Sequence, residues 1–333
     1  SAQRSVRKET EMPLASVIVP ASGAGSALSD TLRALSGQSF RDLEIIVADH
    51  GPTGRASGAA LEHVRQDPRI DVLFQPGSGQ AGARNCGLAK ARGQYIGFCS
   101  EGDLWHPEKL AAHVVHLQTN PHLGVSFARQ GWLDARGQER RDPTGSKLVN
   151  VTAADLFRHD VAGHASVSVL RREVLDDLAV QRSAVPSVFD PSFRYADVSE
   201  CWLRLMLTTD WEIEGIPARL SLAPLAASDF AATLDARRAA WERMVTRLAP
   251  RDPGFFMRHT AAARNLHLQR LAVRALHAGE RDLARTLLAR ACSGSGDARL
   301  CDPFGTAIAL ARTVSPRRLW SRAFGQSSLS PQV

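Results

Sequence analysis

The chain of 333 residues lacks several things whose absence narrows what it can be. No apolar run approaches the roughly 18 residues that a membrane-spanning helix needs. Ser1–Met12 has no hydrophobic core of the kind a secretory leader carries. The five cysteines, Cys86, Cys99, Cys201, Cys292 and Cys301, are odd in number and contain no C-x-x-C pair, which argues against a disulfide framework and a zinc site. Free thiols in a reducing, cytoplasmic setting are therefore expected, with a peripheral position at an inner membrane face as the variant. Only Cys292 and Cys301, across a Gly/Ser-rich loop, would pair in an oxidising compartment.

Lysine is absent from residues 231–333, which carry seventeen arginines against seven acidic residues, a balance of +10. The net charge of the whole is +7, so residues 1–230 balance to −3. An all-arginine surplus at one end suits an anionic membrane surface or protein partner. No recognition motif accompanies the charge, so nucleic acid is not an expected partner.

The apolar content of 44% is enough for one large α/β domain and a smaller appendage. Strands are expected at Ser16–Val19 (closed by Pro20), Leu43–Val47 and Val72–Phe74, alternating with helices around Leu28–Leu35, Ala59–Arg65 and Ala83–Ala91. Such alternation implies parallel strands with right-handed crossovers. Further on, His164–Leu170 reads as a strand, Ala196–Arg204 as a helix, and Trp211–Pro217 with Arg219–Leu222 as the last strands. Beyond Ser228 the pattern is helical, and Leu266–Ala278 with Asp282–Cys292 form a hairpin about Gly279-Glu280. The domains expected are an arm at 1–12, an α/β domain at 13–228, a basic helical region at 229–326 and a tail at 327–333.

The chain is organised around Tyr95–Leu110, YIGFCSEGDLWHPEKL. A short buried strand ends in the acidic turn Ser100-Glu101-Gly102-Asp103, and a helix follows with Pro107 in its first turn. Acidic groups at the carboxyl end of a parallel strand stand where α/β sheets bind ligands.

Together with ASVIVPASG (Ala15–Gly23), LEIIVADHGPTG (Leu43–Gly54) and GQAGARNCGLAKARGQYIGF (Gly79–Phe98), this stretch resembles, in order, a family 2 glycosyltransferase of the GT-A fold. The resemblance runs from about Ala15 to about Leu222. It implies an α/β fold with a mixed sheet, a GT-A-like nucleotide-diphospho-sugar transferase domain, with an α-helical C-terminal appendage. It also implies inverting transfer of a sugar from a nucleotide-diphosphate donor to a glycan, lipid or protein acceptor.

Carried over position by position, the resemblance makes Pro20, Asp49, Arg84, Ser100 and Glu101 the nucleotide-binding set. Ser100 and Gly102 stand where the family's D-x-D carboxylates would be. Glu101 and Asp103 keep the acidic spacing one residue out of register and are the candidate ligands for Mn2+ or Mg2+. Val198 occupies the position of the family's catalytic base, which leaves Asp197 and Glu200 as candidate bases on one helix face. Two altered chemical positions also define a second expectation, a catalytically impaired domain that binds a nucleotide, glycan or protein as a scaffold.

Overall fold

The structure is a computed structural model that describes residues 13–23, 25–133, 138–141, 147–178, 187–224 and 230–293. Its contacts divide the chain into two units, Ser1–Leu225 with Ala236–Pro253, and Ala226–Asp235 with Gly254–Val333. The expected arm, the tail and the pairing of Cys292 with Cys301 fall on or involve residues outside the described ones.

The first unit is built on one mixed sheet of nine strands. Its elements in order are β1 (Ala15–Ala21), α1 (Ser26–Ser36), β2 (Leu43–Asp49), α2 (Arg55–Gln66), β3 (Ile70–Phe74), α3 (Gly79–Lys90) and β4 (Tyr95–Phe98). Then follow β5 (Leu104–Trp105), α4 (Lys109–Thr119), β6 (Leu123–Leu133), β7 (Glu139–Arg141), α5 (Ala153–His159), a 3-10 turn at Ala165–Val167 and β8 (Ser168–Arg171). The set ends with α6 (Glu173–Leu178), α7 (Asp197–Thr208), β9 (Glu212–Pro224) and, from Ala236 onward, α8 (Phe230–Leu248), whose first residues belong to the second unit.

The strand order is β3-β2-β1-β4-β8-β6-β9-β5, with β7 on β6. β1, β2, β3 and β4 are mutually parallel, and β8 runs antiparallel to both β4 and β6. Alternation explains why these strands are continuous apolar runs. Val17, Val19, Ile45 and Val47 enter the core on one face, while Ile18, Ile46, Ile96 and Phe98 enter the core on the other. Helices cover both faces, so a strand residue has no solvent side to leave polar.

Three local expectations are revised. β1 does not stop at Pro20 but continues to Ala21. The β1–β4 ladder covers only Ala15–Ile18, so Pro20 lies where one neighbour no longer requires its missing N–H. α4 begins at Lys109, because Leu104–Trp105 first pairs with Leu222 and Ser221 of β9; Pro107 therefore precedes the helix. Trp211–Pro217 and Arg219–Leu222 merge into the single strand β9, which follows β6 in parallel with three register irregularities.

In the second unit α9 (Pro253–His277) and α10 (Arg281–Ser293) form the expected hairpin, turned by Gly279 at φ +85°. Leu271, Ala272 and Ala275 pack with Ala284, Leu287 and Leu288 and with Phe230 and Leu234 from the start of α8. No described helix is long and apolar enough to cross a membrane.

Candidate active site

The carboxyl ends of β1, β2 and β4 converge with the amino end of α7, and the expected site residues collect there. Asp49 closes β2 and is fully buried. Its Oδ1 accepts from Gly51 N at 2.9 Å, and its Oδ2 accepts from Ser57 N at 2.7 Å and Ser57 Oγ at 2.8 Å. The carboxylate thus fastens the Gly51–Ser57 loop to the strand tip. The next residue, His50, is half-buried beside Asp49, Glu101 and Arg84, and burial lowers its pKa. Pro20 is buried inside β1.

The acidic turn does not present two carboxylates to one point. Gly102 adopts φ +92°, a left-handed conformation that glycine takes at little cost. The turn sends its two acids apart. Glu101 Oε2 accepts from Ser22 N at 2.9 Å and Gly23 N at 3.1 Å, tying the loop after β1 to the tip of β4. Asp103 is 2% exposed and accepts a hydrogen bond from the Ser166 hydroxyl. The same Ser166 Oγ accepts from Ser100 N at 2.8 Å. From α1, Thr31 Oγ1 donates to Asp103 O at 3.0 Å and accepts from Gly102 N at 3.0 Å. Burial pushes the Asp103 carboxyl up to about 7, against the opposing pull of Ser166 and the Ser100 backbone.

Glu101 and Asp103 are therefore corrected as a joint cation site. One carboxylate is committed to backbone amides and the other is sunk beneath the turn. Hard divalent cations need several oxygens converging on one centre, and these two do not converge. Among the described residues no group of three or more His, Cys, Asp and Glu side chains is set to hold a metal.

Behind Asp103 lies a polar chain that the sequence did not reveal. Lys109 is fully buried, with Nζ 2.9 Å from His113 Nε2 and donating to Val167 O at 3.1 Å, and burial pulls its pKa down to about 7. His113 and His116 both meet Ser126 Oγ at 2.8 Å. On the open side, His164 Nδ1 stands 3.7 Å from Asp103 Oδ2. Lys109 and His113, four residues apart on one helix, were the available signal. Ser166 and His164 gave none, because the pairing that matters spans more than sixty residues.

Arg84 and Asp197 do come together. The Arg84 guanidinium is ion-paired with Asp197 Oδ2, donates to Gln80 Oε1 at 3.3 Å, and lies 5.6 Å over the Phe189 ring. Both residues are buried, and Arg84 Nε has no hydrogen-bond partner. Ala196, the residue before α7, is held at φ +66°, a left-handed conformation that an L-residue with a Cβ rarely adopts. The sharp entry turns Asp197 onto Arg84, and such strain is commonest at functional sites.

Glu200 is corrected as a candidate base. It is fully buried and grips Arg204, with Oε1 at 3.0 Å from Nε and Oε2 at 3.3 Å from Nη2. Arg204 in turn donates to Leu178 O at 2.5 Å and Val188 O at 2.6 Å, closing the segment before α7 against the helix. No acceptor hydroxyl can reach a carboxylate placed there. Val198 is buried, and its side chain has no proton-accepting atom.

The model of the glycosyl transferase family 2 matches residues 16–179, the stretch that builds this sheet and its tips. The chain carries a family 2 glycosyltransferase domain. An uncharacterised glycosyltransferase of Haemophilus influenzae is 31% identical over 140 residues, 42% of this chain and 56% of that relative. The Escherichia coli UDP-Glc:alpha-D-GlcNAc-diphosphoundecaprenol beta-1,3-glucosyltransferase WfaP is 28% identical over 108 residues, 32% of this chain and 43% of its own length. The chain therefore spans about half the length of these curated relatives. Among solved structures, the Pyrobaculum calidifontis mannosyltransferase PcManGT, in complex with GDP-Man and Mn2+, matches with a TM-score of 0.58 and 20% identity. That match covers 96% of this chain and 88% of PcManGT and shows the GT-A fold, extending beyond the family model into the helical C-terminal part. The glycosyltransferase domain thus sets its Arg84–Asp197 pair at the carboxyl edge of a GT-A sheet.

Proposed function

We propose that the protein transfers a sugar, with inversion, from a nucleotide-diphosphate donor to a hydroxyl of a glycan, lipid or protein acceptor. The observation that carries this reading is the buried Arg84–Asp197 ion pair at the strand tips. In the step proposed, the acceptor oxygen forms a bond to the anomeric carbon while the bond from that carbon to the diphosphate oxygen breaks. The bonding pair leaves with the diphosphate, and the acceptor proton passes to Asp197. One Asp197 oxygen is held by Arg84, which fixes the carboxylate and leaves the other oxygen to accept the proton. Arg84 Nε, buried without a partner, would donate to a leaving-group oxygen, because an unsatisfied buried donor gains most from an arriving oxyanion.

Asp49 and Glu101 contribute by fastening the loops after β2 and β1, and these loops together with His50 would line the nucleotide pocket. Ser100 and Pro20 would contribute to it through the backbone of the β4 and β1 tips. No step is routed through a cation, since the residues at the β4 tip do not fit one. The arginine-rich stretch from Ala231 onward is proposed to meet an anionic membrane surface or protein partner. Loss of sedimentation with anionic vesicles at high salt would test that part.

Calorimetric titration with a panel of nucleotide-diphosphate sugars, followed by donor turnover, tests the main reading. One donor should bind and be slowly hydrolysed. Binding without turnover would instead favour the scaffold reading, and Val198 is the observation in its favour.

A further inference from the structure

The segment from Val188 to Asp197 is pinned at both ends by α3. Asn85 Nδ2 donates to Phe189 O at 2.6 Å, and Asn85 Oδ1 accepts from Val188 N at 3.2 Å and Phe189 N at 2.9 Å. At the other end Asp197 meets Arg84. Between these anchors two aromatic rings lie under four guanidinium groups. Arg237 stands 4.3 Å and Arg194 6.0 Å over Tyr195, while Arg243 and Arg247 each stand 5.9 Å over Phe193.

The four are not equivalent. Arg247 is ion-paired with Asp190 and lies 3.8 Å from Glu200, so its charge is answered within the protein. Arg194 and Arg243 are exposed, and neither forms an ion pair with a carboxylate among the described residues. From Ala236 to Leu248, α8 supplies four arginines and one acidic residue, Glu242. Concentrating cations this way is unfavourable for an isolated protein. Stacking on rings holds the guanidiniums flat and restrains long side chains that would otherwise move freely. Guanidiniums restrained in this way suit an arriving oxyanion.

Tyr195 lies two residues and Phe193 four residues before Asp197, so backbone spans of at most about 7 and 14 Å tie the two rings to the proposed proton acceptor. A group several bonds from the attacking hydroxyl would come within reach of them. A carboxylate offers one charge and two oxygens to these guanidiniums. A phosphate ester offers more of both, in the fork geometry that arginine matches.

We propose that Arg194 and Arg243 form a subsite for a phosphate group carried by the acceptor. This rests on the glycosyl-transfer reading and goes beyond it by naming the acceptor's chemical class.

The test uses the full chain and two phosphate probes: a soluble glycerol-phosphate oligomer, and phosphatidylcholine vesicles containing a polyprenyl phosphate. Oligogalacturonate serves as the carboxylate control. Each is titrated with the donor pocket filled by whichever nucleoside diphosphate binds most tightly. The wild type should bind at least one phosphate probe, and which one identifies a polymer-borne or a lipid-borne phosphate. Arg194→Ala/Arg243→Ala should weaken that binding at least tenfold. Nucleotide affinity should stay within twofold, with the fold checked by circular dichroism. Arg194→Lys/Arg243→Lys should fall between, because it keeps charge without the planar fork. Equal binding by wild type and the alanine variant, no binding of either probe at low salt, or equal affinity for oligogalacturonate would overturn the proposal. A chain that binds no nucleotide yet loses phosphate binding in the alanine variant would sink the glycosyl-transfer reading while leaving the phosphate subsite standing.

Discussion

The tip of β4 and the first turn of α7 each carry two carboxylates at close spacing, and each treats its two acids differently. At β4, Glu101 holds the Ser22–Gly23 backbone at the rim while Asp103 is buried on Ser166. At α7, Asp197 faces the strand tips on Arg84 while Glu200 is buried on Arg204. The contrast between regions lies in the partners. The α7 acids each meet a guanidinium. The β4 acids meet amides and a hydroxyl, and the deeper one is pushed towards its neutral form. Spacing along the sequence does not distinguish a reacting carboxylate from a structural one; the group it is aimed at does.

The largest effect expected from this contrast is on stability at α7. Glu200→Ala leaves the buried Arg204 charge uncompensated, which should cost about 3–5 kcal/mol in urea unfolding. A change under about 1 kcal/mol, a surface-pair value, would show Glu200 to be solvated and return it to the list of candidate bases. At β4, Glu101→Gln weakens two charge-assisted hydrogen bonds and should cost about 1–3 kcal/mol of local order. Its clearest readout is faster amide exchange at Ser22 and Gly23; unaltered exchange would detach Glu101 from that loop.

A smaller effect concerns pH. Asp103 has a folded pKa of about 7, above its ordinary value of 3.8. Between these values the folded chain binds more protons than the unfolded one, so this group's contribution to stability falls as pH rises. The thermal midpoint of the wild type relative to Asp103→Asn should therefore drop from pH 4 to pH 7 and level off above. Lys109, lowered from 10.5 to about 7, acts in the opposite sense above pH 7, so the acid window isolates Asp103. A midpoint difference that rises with pH would mean that Asp103 is ionised and paired. The smallest effect is none at all: donor turnover should be the same in EDTA as with added Mn2+, whereas turnover that vanishes in EDTA and returns with metal would restore Glu101 and Asp103 as ligands.

Much of the frame was legible because its causes are local. Continuous runs such as Leu43–Val47 could only be strands covered on both faces, and Gly279-Glu280 could only break a helical stripe. The family resemblance named Arg84 for the nucleotide and Asp197 as a base separately; their pairing across 113 residues was not legible in the sequence. Glu200 was misread although its partner was in view: Arg204 lies four residues on, the spacing at which helical side chains meet. Asp103 could not have been resolved from sequence, because its burial depends on Ser166 arriving from 63 residues away. The same holds for His164, which reads as one more residue of a strand and stands instead beside the Asp103 carboxylate.

The measurement closest to the central claim compares donor turnover and nucleotide affinity in the wild type and in Asp197→Asn. The amide keeps the size of the side chain and a hydrogen-bond acceptor for Arg84 but cannot take the acceptor proton. Turnover should fall by about 10²–10⁴-fold, the usual worth of a positioned general base, with nucleotide affinity changed by less than about fivefold. Transfer at the wild-type rate by the Asp197→Asn variant would contradict the account, and the proton would have to leave by a group other than the Asp197 carboxylate.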